Sequence, residues 1–405
     1  MIKKISSYIV FSVMSSGVVF LTMLYLSRTI TPEEFGMVGL IMAILFILPD
    51  FIGFSTGDLV HLNKVKMTSN DFSNFSKKNL TFGIMIFAFT FILSISFGVY
   101  FQNYFYLIIS LPVIAFLQFL FNFHNAELIQ NGESVRYGVY RLVLAITSLI
   151  LTVLFVSNLN LTWDGRVAAI IVSEFIILFI ALKLSFSTLR SFKIDVDYEK
   201  SVEYCKFGLP LLVRQGAAWG INQSDKFIIL IFFTLKEVGV YTFAYIIGSI
   251  VNVINQAAGN AIMPIVYKSL EKNEGKIIKR LNIYYSAIIM SISLMVGVSS
   301  YWFVPLLLGP EYQGSESIIL FISLAGGFSG IYRITGGVLI FYKKNFLQMN
   351  LLYSAAIFNI LLSLLLIPFF EIKGPAIATM ISFMLLAYLT YRYSWSVLRD
   401  KKVSW

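Results

Sequence analysis

The residues able to do chemistry in this chain are few, and they sit inside apolar stretches. Residues 207–234 carry Arg214, Gln215, Trp219, Asn222, Asp225 and Lys226 on an otherwise hydrophobic segment. A lipid-facing helix holds such charges only at about 3 kcal/mol each, so this one must face protein or water. In the next stretch Asn252, Asn255, Gln256 and Asn260 recur at spacings that put four amides near one helical face. Two neighbouring helices therefore share a polar lining. Arg333 lies alone in a further apolar run. The chemistry open to this set is non-covalent: forked guanidinium hydrogen bonds to an anion, and amide contacts to a polar solute.

Three acids at depth add a second kind of candidate. Glu174 is in the middle of an apolar run with no sequence neighbour to neutralise it, so a protonatable coupling site and a structural hydrogen bond are both open. Asp50 lies at a depth similar to Arg214 and is a candidate ion-pair partner for it. Asp225 beside Lys226 reads either as a coupling acid or as an interfacial pair. Gln118, Asn122 and Asn125 repeat the amide spacing on another segment. Gly326, Gly327, Gly330, Gly336 and Gly337 surround Arg333 and read as close helix packing, with a bend or gate as the alternative. Trp219 reads as core packing or as a stacking surface for a ring.

Hydrophobic residues are 58% of the chain and charged residues 13%, against roughly 45–50% and about 25% in soluble domains. The chain is an integral membrane protein. Spans are expected at 5–26, 36–60, 80–101, 104–123, 142–156, 167–184, 207–234, 238–265, 283–308, 318–342, 351–370 and 376–393, numbered one to twelve below. The basic start with Lys3 and Lys4 is followed by an apolar run with no small-residue cleavage site, so it is read as span one. With the N-terminus inside, 24 of the 31 Lys and Arg residues fall on the cytoplasmic side. Arg28, Arg166, Lys236 and Lys373 are left outside, and Arg214, Lys226 and Arg333 within spans. The net charge of +10 is then a topology signal with both termini cytoplasmic, and needs no nucleic acid to explain it. One cysteine, Cys205, excludes an internal disulfide; His61 and His124 sit at span ends without a ligand cluster. No cofactor and no metal are expected.

External loops are about ten residues or fewer and the longest cytoplasmic loop has some twenty, too few for an independent catalytic domain. A weak half-repeat is present. Thr31-Pro-Glu-Glu34-Phe-Gly36 opens span two and Thr234-Leu-Lys-Glu237-Val-Gly239 opens span eight, at an offset of 203 residues. Gly165, Ala169 and Ser173 correspond to Gly374, Ala378 and Ser382 at an offset of 209. Two like-oriented six-span halves are expected: a first lobe at 1–186, a cytoplasmic linker at 187–206, a second lobe at 207–396 and a tail at 397–405.

The segments Ser27-Arg28-x-x-Thr31-Pro-Glu-Glu-Phe-Gly36, Phe207-Gly-Leu-Pro210, Ser224-Asp225-Lys226-Phe227, Glu237-Val-Gly-Val-Tyr241 and Ile367-Pro368 with Gly374-Pro-Ala-Ile-Ala-Thr379 resemble the polysaccharide flippases of the MATE-like MOP exporter superfamily. Within it the chain looks most like the O-antigen, Wzx-type, flippases, over nearly its whole length. Lys373 departs from the family pattern, where a small apolar residue is commoner. The resemblance implies an all-α membrane protein, V-shaped with a central cavity. It further implies alternating access, and transfer of an undecaprenyl-diphosphate-linked oligosaccharide from the cytoplasmic to the periplasmic leaflet of the bacterial inner membrane. Membrane lipid, a polysaccharide polymerase and a chain-length regulator are the partners it implies, with no catalytic residue.

On that reading Arg214 and Arg333, both roughly 10–15 Å below the inner surface, hold phosphate oxygens. Asn252, Asn255, Gln256, Gln215, Asn222 and Trp219 contact sugar, and Glu174, Asp50 and Asp225 couple transport to an ion. A drug or cation antiporter of the same superfamily is the first alternative, although 5–26 lacks the acid that branch commonly keeps in its first span. A membrane polysaccharide polymerase is the second, and it would need a large external loop. A lipid II flippase would be expected to carry two further spans.

Overall fold

The computed structural model describes residues 2–55, 60, 67, 69–185, 192–307 and 310–401. His61, Lys64, Lys66, the first part of the expected linker (187–191) and the end of the expected tail (402–405) lie outside the described residues. Among the described residues the chain is helical throughout, without a strand. Among these residues eleven helices are long and apolar enough to cross a membrane, from Val10–Thr29 and Pro32–Ile52 to Asn345–Phe370 and Lys373–Asp400. They follow expected spans one to six and eight to twelve in order. Span seven is the helix Tyr198–Phe232, 35 residues long, in which Glu199, Lys200, Glu203, Lys206, Arg214, Asp225 and Lys226 dilute the apolar content. Its length exceeds what a hydrocarbon core of about 30 Å needs.

The chain forms two compact units, Met1–Ile30 with Ile41–Gly216, and Thr31–Leu40 with Ala217–Trp405. The passage at Gly216 lies inside the span-seven helix, so residues 198–216 count with the first unit. Their packing gives the reason. Tyr204 is buried, its ring 6.0 Å from Phe75 and 5.7 Å from Phe82. Just before the helix, Asp197 pairs with Lys78 at 2.7 Å and the Asp195 N–H donates to Thr81 Oγ1 at 3.1 Å. The Asp197 carboxyl is held below the ordinary carboxylate range, first by the Lys200 backbone N–H and then by Lys78. The second half of the expected linker is thus laid down along span three.

In the second unit span ten, Ser315–Phe341, is the helix the others pack on, touching spans eight, nine and twelve. Its glycines are why. A Cβ on Gly330 would lie 2.4 Å from Asn255 Oδ1 and 2.7 Å from the Tyr285 hydroxyl, so only a bare backbone admits spans eight and nine this closely. Both copies of the half-repeat are helix starts. Thr31 N–H donates to Glu34 Oε2 at 2.9 Å and the Glu34 N–H donates back to Thr31 Oγ1 at 3.3 Å. Thr234 N–H donates to Glu237 Oε2 at 3.1 Å, closing the same capping box. The coincident Thr and Glu are therefore there to satisfy exposed helix-end N–H groups.

Gly330→Val should destabilise the second unit by about 1–3 kcal/mol. Thermal unfolding of the detergent-solubilised protein checks this, with a lower midpoint expected and an unchanged one contrary to the packing described.

Candidate functional site

Spans eight, nine and ten place one polar cluster. Asn255 is 1% exposed; its Nδ2 donates to the Gly326 carbonyl at 2.7 Å and its Oδ1 accepts from Tyr285 at 2.8 Å. The amide is fully used between helices, so Asn255, expected on the polar lining, is turned into the packing. Gln256 and Asn260 are exposed, and Asn252 is half-buried. Arg333 is exposed on span ten, and a Cβ on Gly259 would come 3.0 Å from its Cδ and 3.9 Å from its Nη1. The aliphatic stem of Arg333 therefore lies across Gly259, one turn beyond Asn255. Tyr285 is close enough for the guanidinium charge to act on its hydroxyl. The structure thus brings Arg333 to the same helix of span eight that carries the exposed amides.

A second cluster is closed. Asp225 and Lys226 are 0% and 4% exposed, so they do not form an interfacial pair. Asp225 Oδ2 accepts from Tyr241 and, at 2.9 Å, from Thr379 Oγ1, which itself accepts from Asn359 Nδ2 at 3.0 Å. Asp225 Oδ1 and Asn359 Oδ1 have no hydrogen-bond partner among the described residues. Lys226 donates to Gln223 and lies 4.8 Å from the centre of the Tyr245 ring. Tyr245 donates to Asn222 Oδ1 at 3.3 Å, while Asn222 Nδ2 donates to its own helix at Ala218 at 2.7 Å. Asn222 is thereby occupied within this cluster. Trp219 is half-buried with its ring 5.5 Å from Phe227. The cluster is one buried carboxylate held by two hydroxyl donors, with the Lys226 charge near enough to act on it.

The first unit holds the remaining candidates. Arg214 is exposed and Gln215 half-buried on the span-seven helix, and Asp50 is half-buried in the short helix Leu48–Ile52. Glu174 is 5% exposed, with Gln118 in hydrogen-bonding reach and Arg141 near enough to act on its charge. Its Oε2 has no hydrogen-bond partner among the described residues. Arg166, expected in an outer loop, is instead 6% exposed and donates to Ser148 at 2.8 Å and Thr152 at 2.9 Å. It begins its helix close after Trp163, so a loop reading of the sequence misses that its side chain turns inward. Sequence reasoning does not single out Asn359 and Thr379 as site residues, since neither is charged and only the packing of their spans brings them to Asp225. Among the described residues no three His, Cys, Asp or Glu side chains are grouped to hold a metal ion.

A family described as "Polysaccharide biosynthesis protein" matches residues 25–317. A protein of the Lsg locus of Haemophilus influenzae is 24% identical over 247 residues, which cover 58% of this chain and 60% of that protein. The matched part thus spans about three fifths of that relative. Two solved structures share the fold. One is an inward-facing multidrug resistance MATE family transporter of the MOP superfamily, with TM-score 0.76, 16% identity, and coverage of 98% of this chain and 96% of the other. The other is the lipid II flippase MurJ in an inward closed conformation, with TM-score 0.80, 13% identity, and coverage of 96% and 87%.

Tyr285→Phe leaves the buried Asn255 Oδ1 without its donor and should cost about 1–3 kcal/mol. Unfolding of the purified variant measures the loss, and a midpoint equal to the parent's would contradict the assigned bond.

Proposed function

Because the chain belongs to the polysaccharide biosynthesis protein family, we propose that it is a flippase for undecaprenyl-diphosphate-linked oligosaccharide repeat units, of the kind that build O-antigen or a similar surface polysaccharide. It moves them from the cytoplasmic to the periplasmic leaflet of the bacterial inner membrane by alternating access, with both termini cytoplasmic. A polymerase and a chain-length regulator receive what it delivers. The observation that supports this most is the exposed Arg333, in the interior of span ten, lying across Gly259 on the helix that carries the exposed Gln256 and Asn260. A charged head so placed belongs in a wet passage, since hydrocarbon would cost it several kcal/mol. Sugar hydroxyls stripped of water cost a few kcal/mol each without new partners, and exposed amides supply such partners. The diphosphate supplies an anion of the kind that a guanidinium is suited to hold, and Arg333 and, separately, Arg214 are the candidates.

Asp225 is the coupling acid we favour, Glu174 the second, with Asp50 the least enclosed of the three. Asp225 keeps one carboxylate oxygen without a hydrogen-bond partner among the described residues, inside a set of neutral donors. Protonation or cation binding there changes the charge of a buried group on span seven, the helix that also carries Arg214. A drug or cation antiporter is the second reading, favoured by the fold shared with a multidrug resistance transporter. An exposed guanidinium would repel a cationic substrate, which weighs against it.

The reading is tested by deleting the gene and locating the lipid-linked repeat unit, which should accumulate on the cytoplasmic leaflet. Accumulation of unpolymerised units on the periplasmic leaflet would contradict it. Arg333→Ala and Arg214→Ala should each lower flipping in proteoliposomes roughly 10- to 100-fold, from losing a charge-assisted hydrogen bond of about 1.5–3 kcal/mol. Normal flipping by both would remove the anion assignment. Asp225→Asn should preserve the fold and make residual flipping insensitive to pH and to the sodium gradient; unchanged sensitivity would exclude Asp225 as the coupling group.

A further inference from the structure

Span five, the helix Ser134–Val153, is two-sided. Val135, Val139, Ile146 and Ile150 are exposed, and at about 100° per residue they fall on one narrow face, with Leu142 and Leu149 between them. That face carries no polar side chain over about 22 Å. Ser148 and Thr152 lie on the opposite side, where they accept from Arg166 of span six, the helix Trp163–Leu184. An exposed apolar face on a membrane-spanning helix meets acyl chains, and this one is longer than one leaflet of a hydrocarbon core roughly 30 Å thick.

At its first turn the stripe runs into an open groove of about 530 Å³ between the start of span five and the end of span six, a volume in the range of roughly 300–1,000 Å³ that small-molecule sites occupy. Val135, Val139 and Leu184 make its walls apolar, while Glu133, Ser134 and Arg136 bring charge and a hydroxyl to the same place. Glu133 and Arg136 pair with each other, and both side chains are open to solvent. Ser134 Oγ is buried and has no hydrogen-bond partner among the described residues. At the same end of span six Lys183 lies over the Phe179 ring, 5.4 Å from its centre, the posture of a cation reaching for the head-group level of a bilayer. All of these residues belong to the first unit.

A groove that is charged at one end and opens onto a lipid-facing stripe fits a molecule with a head and a tail. We propose that it binds one phospholipid with a primary-amine head, phosphatidylethanolamine, whose acyl chain lies along Val139, Ile146 and Ile150. Charge selects the head. An anionic head would have to draw Arg136 away from Glu133 and leave that carboxylate unpaired beside a phosphate. A zwitterionic head exchanges the one pair for two, its phosphate accepting from Arg136 and from the Ser134 hydroxyl while its ammonium donates to Glu133. The exposed pair that it replaces is weak. A choline head has no N–H to give the carboxylate, so the amine is the feature recognised. The proposed topology makes the leaflet on that side the cytoplasmic one. The site is independent of what the protein carries across the membrane.

The purified protein, stripped of co-purifying lipid in detergent, is titrated with phosphatidylethanolamine, phosphatidylcholine or phosphatidylglycerol of the same acyl chains, and retained lipid is counted by native mass spectrometry. One phosphatidylethanolamine should be held about tenfold more tightly than either other lipid, the worth of one charge-assisted hydrogen bond. Glu133→Gln should remove that preference, and Arg136→Gln should weaken all three lipids together. Equal retention of the three lipids, retention of none, or an unchanged preference in Glu133→Gln would overturn the site. Tighter binding of phosphatidylglycerol would overturn it too, by making the groove a plain anion site. Excess glycerophosphoethanolamine, the head without its tails, should leave the lipid in place; displacement would reassign the groove to a soluble phosphate. The ranking of lipids on the parent protein keeps the test valid if a variant fails to fold. Because retention is read without transport, the result stands whether or not the flippase reading does.

Discussion

Hydrocarbon offers polar groups nothing to bond to, and this constraint sorts every informative residue in the chain. A buried amide, carboxylate or guanidinium must find a partner inside the protein, while an exposed one must be given water. Asn255, Asp225 and Arg166 take the first course, with bonds to Gly326 and Tyr285, to Tyr241 and Thr379, and to Ser148 and Thr152. Arg333, Gln256 and Asn260 are exposed, and the proposed passage would give them the second. The membrane that makes the first group a source of helix cohesion makes the second group intolerable unless a passage is wet.

The span pattern was legible because twenty apolar residues in a row have few alternatives, and eleven helices of that kind follow the order read from the sequence. The amide stripe on span eight was legible as a stripe but not residue by residue. Asn255 and Gln256 are adjacent, about 100° apart around the helix, and that angle alone separates an amide locked between helices from one facing outward. Asp225 could be singled out as an acid in an apolar segment. Its partners could not, since Thr379 lies 154 residues away and Asn359 reaches it through Thr379. A cation near a span end normally snorkels outward, whereas two hydroxyls on span five draw the Arg166 side chain in. The small-residue spacing of Gly326 and Gly330 points to packing, and their close neighbours are side chains of spans eight and nine.

Structures with 13–16% identity share the fold over nearly the whole chain. At that distance few side chains coincide, so what persists is the pattern of burial and helix starts. The half-repeat makes the same point within one chain: the Thr and Glu that coincide close capping boxes, and the glycines that coincide permit a backbone crossing. Substrate-facing residues obey no such rule, and Arg333 has no arginine at the repeat-equivalent position of the first half.

The central claim is that the exposed head of Arg333 faces water in the membrane interior. Arg333→Cys on a Cys205→Ser background, held in intact membranes and treated with a charged, water-soluble thiol reagent, tests it most directly. Modification at a rate within about tenfold of a loop cysteine is the predicted result. A thiol inert to that reagent but reactive to a lipid-soluble maleimide would place the side chain among acyl chains and contradict the account.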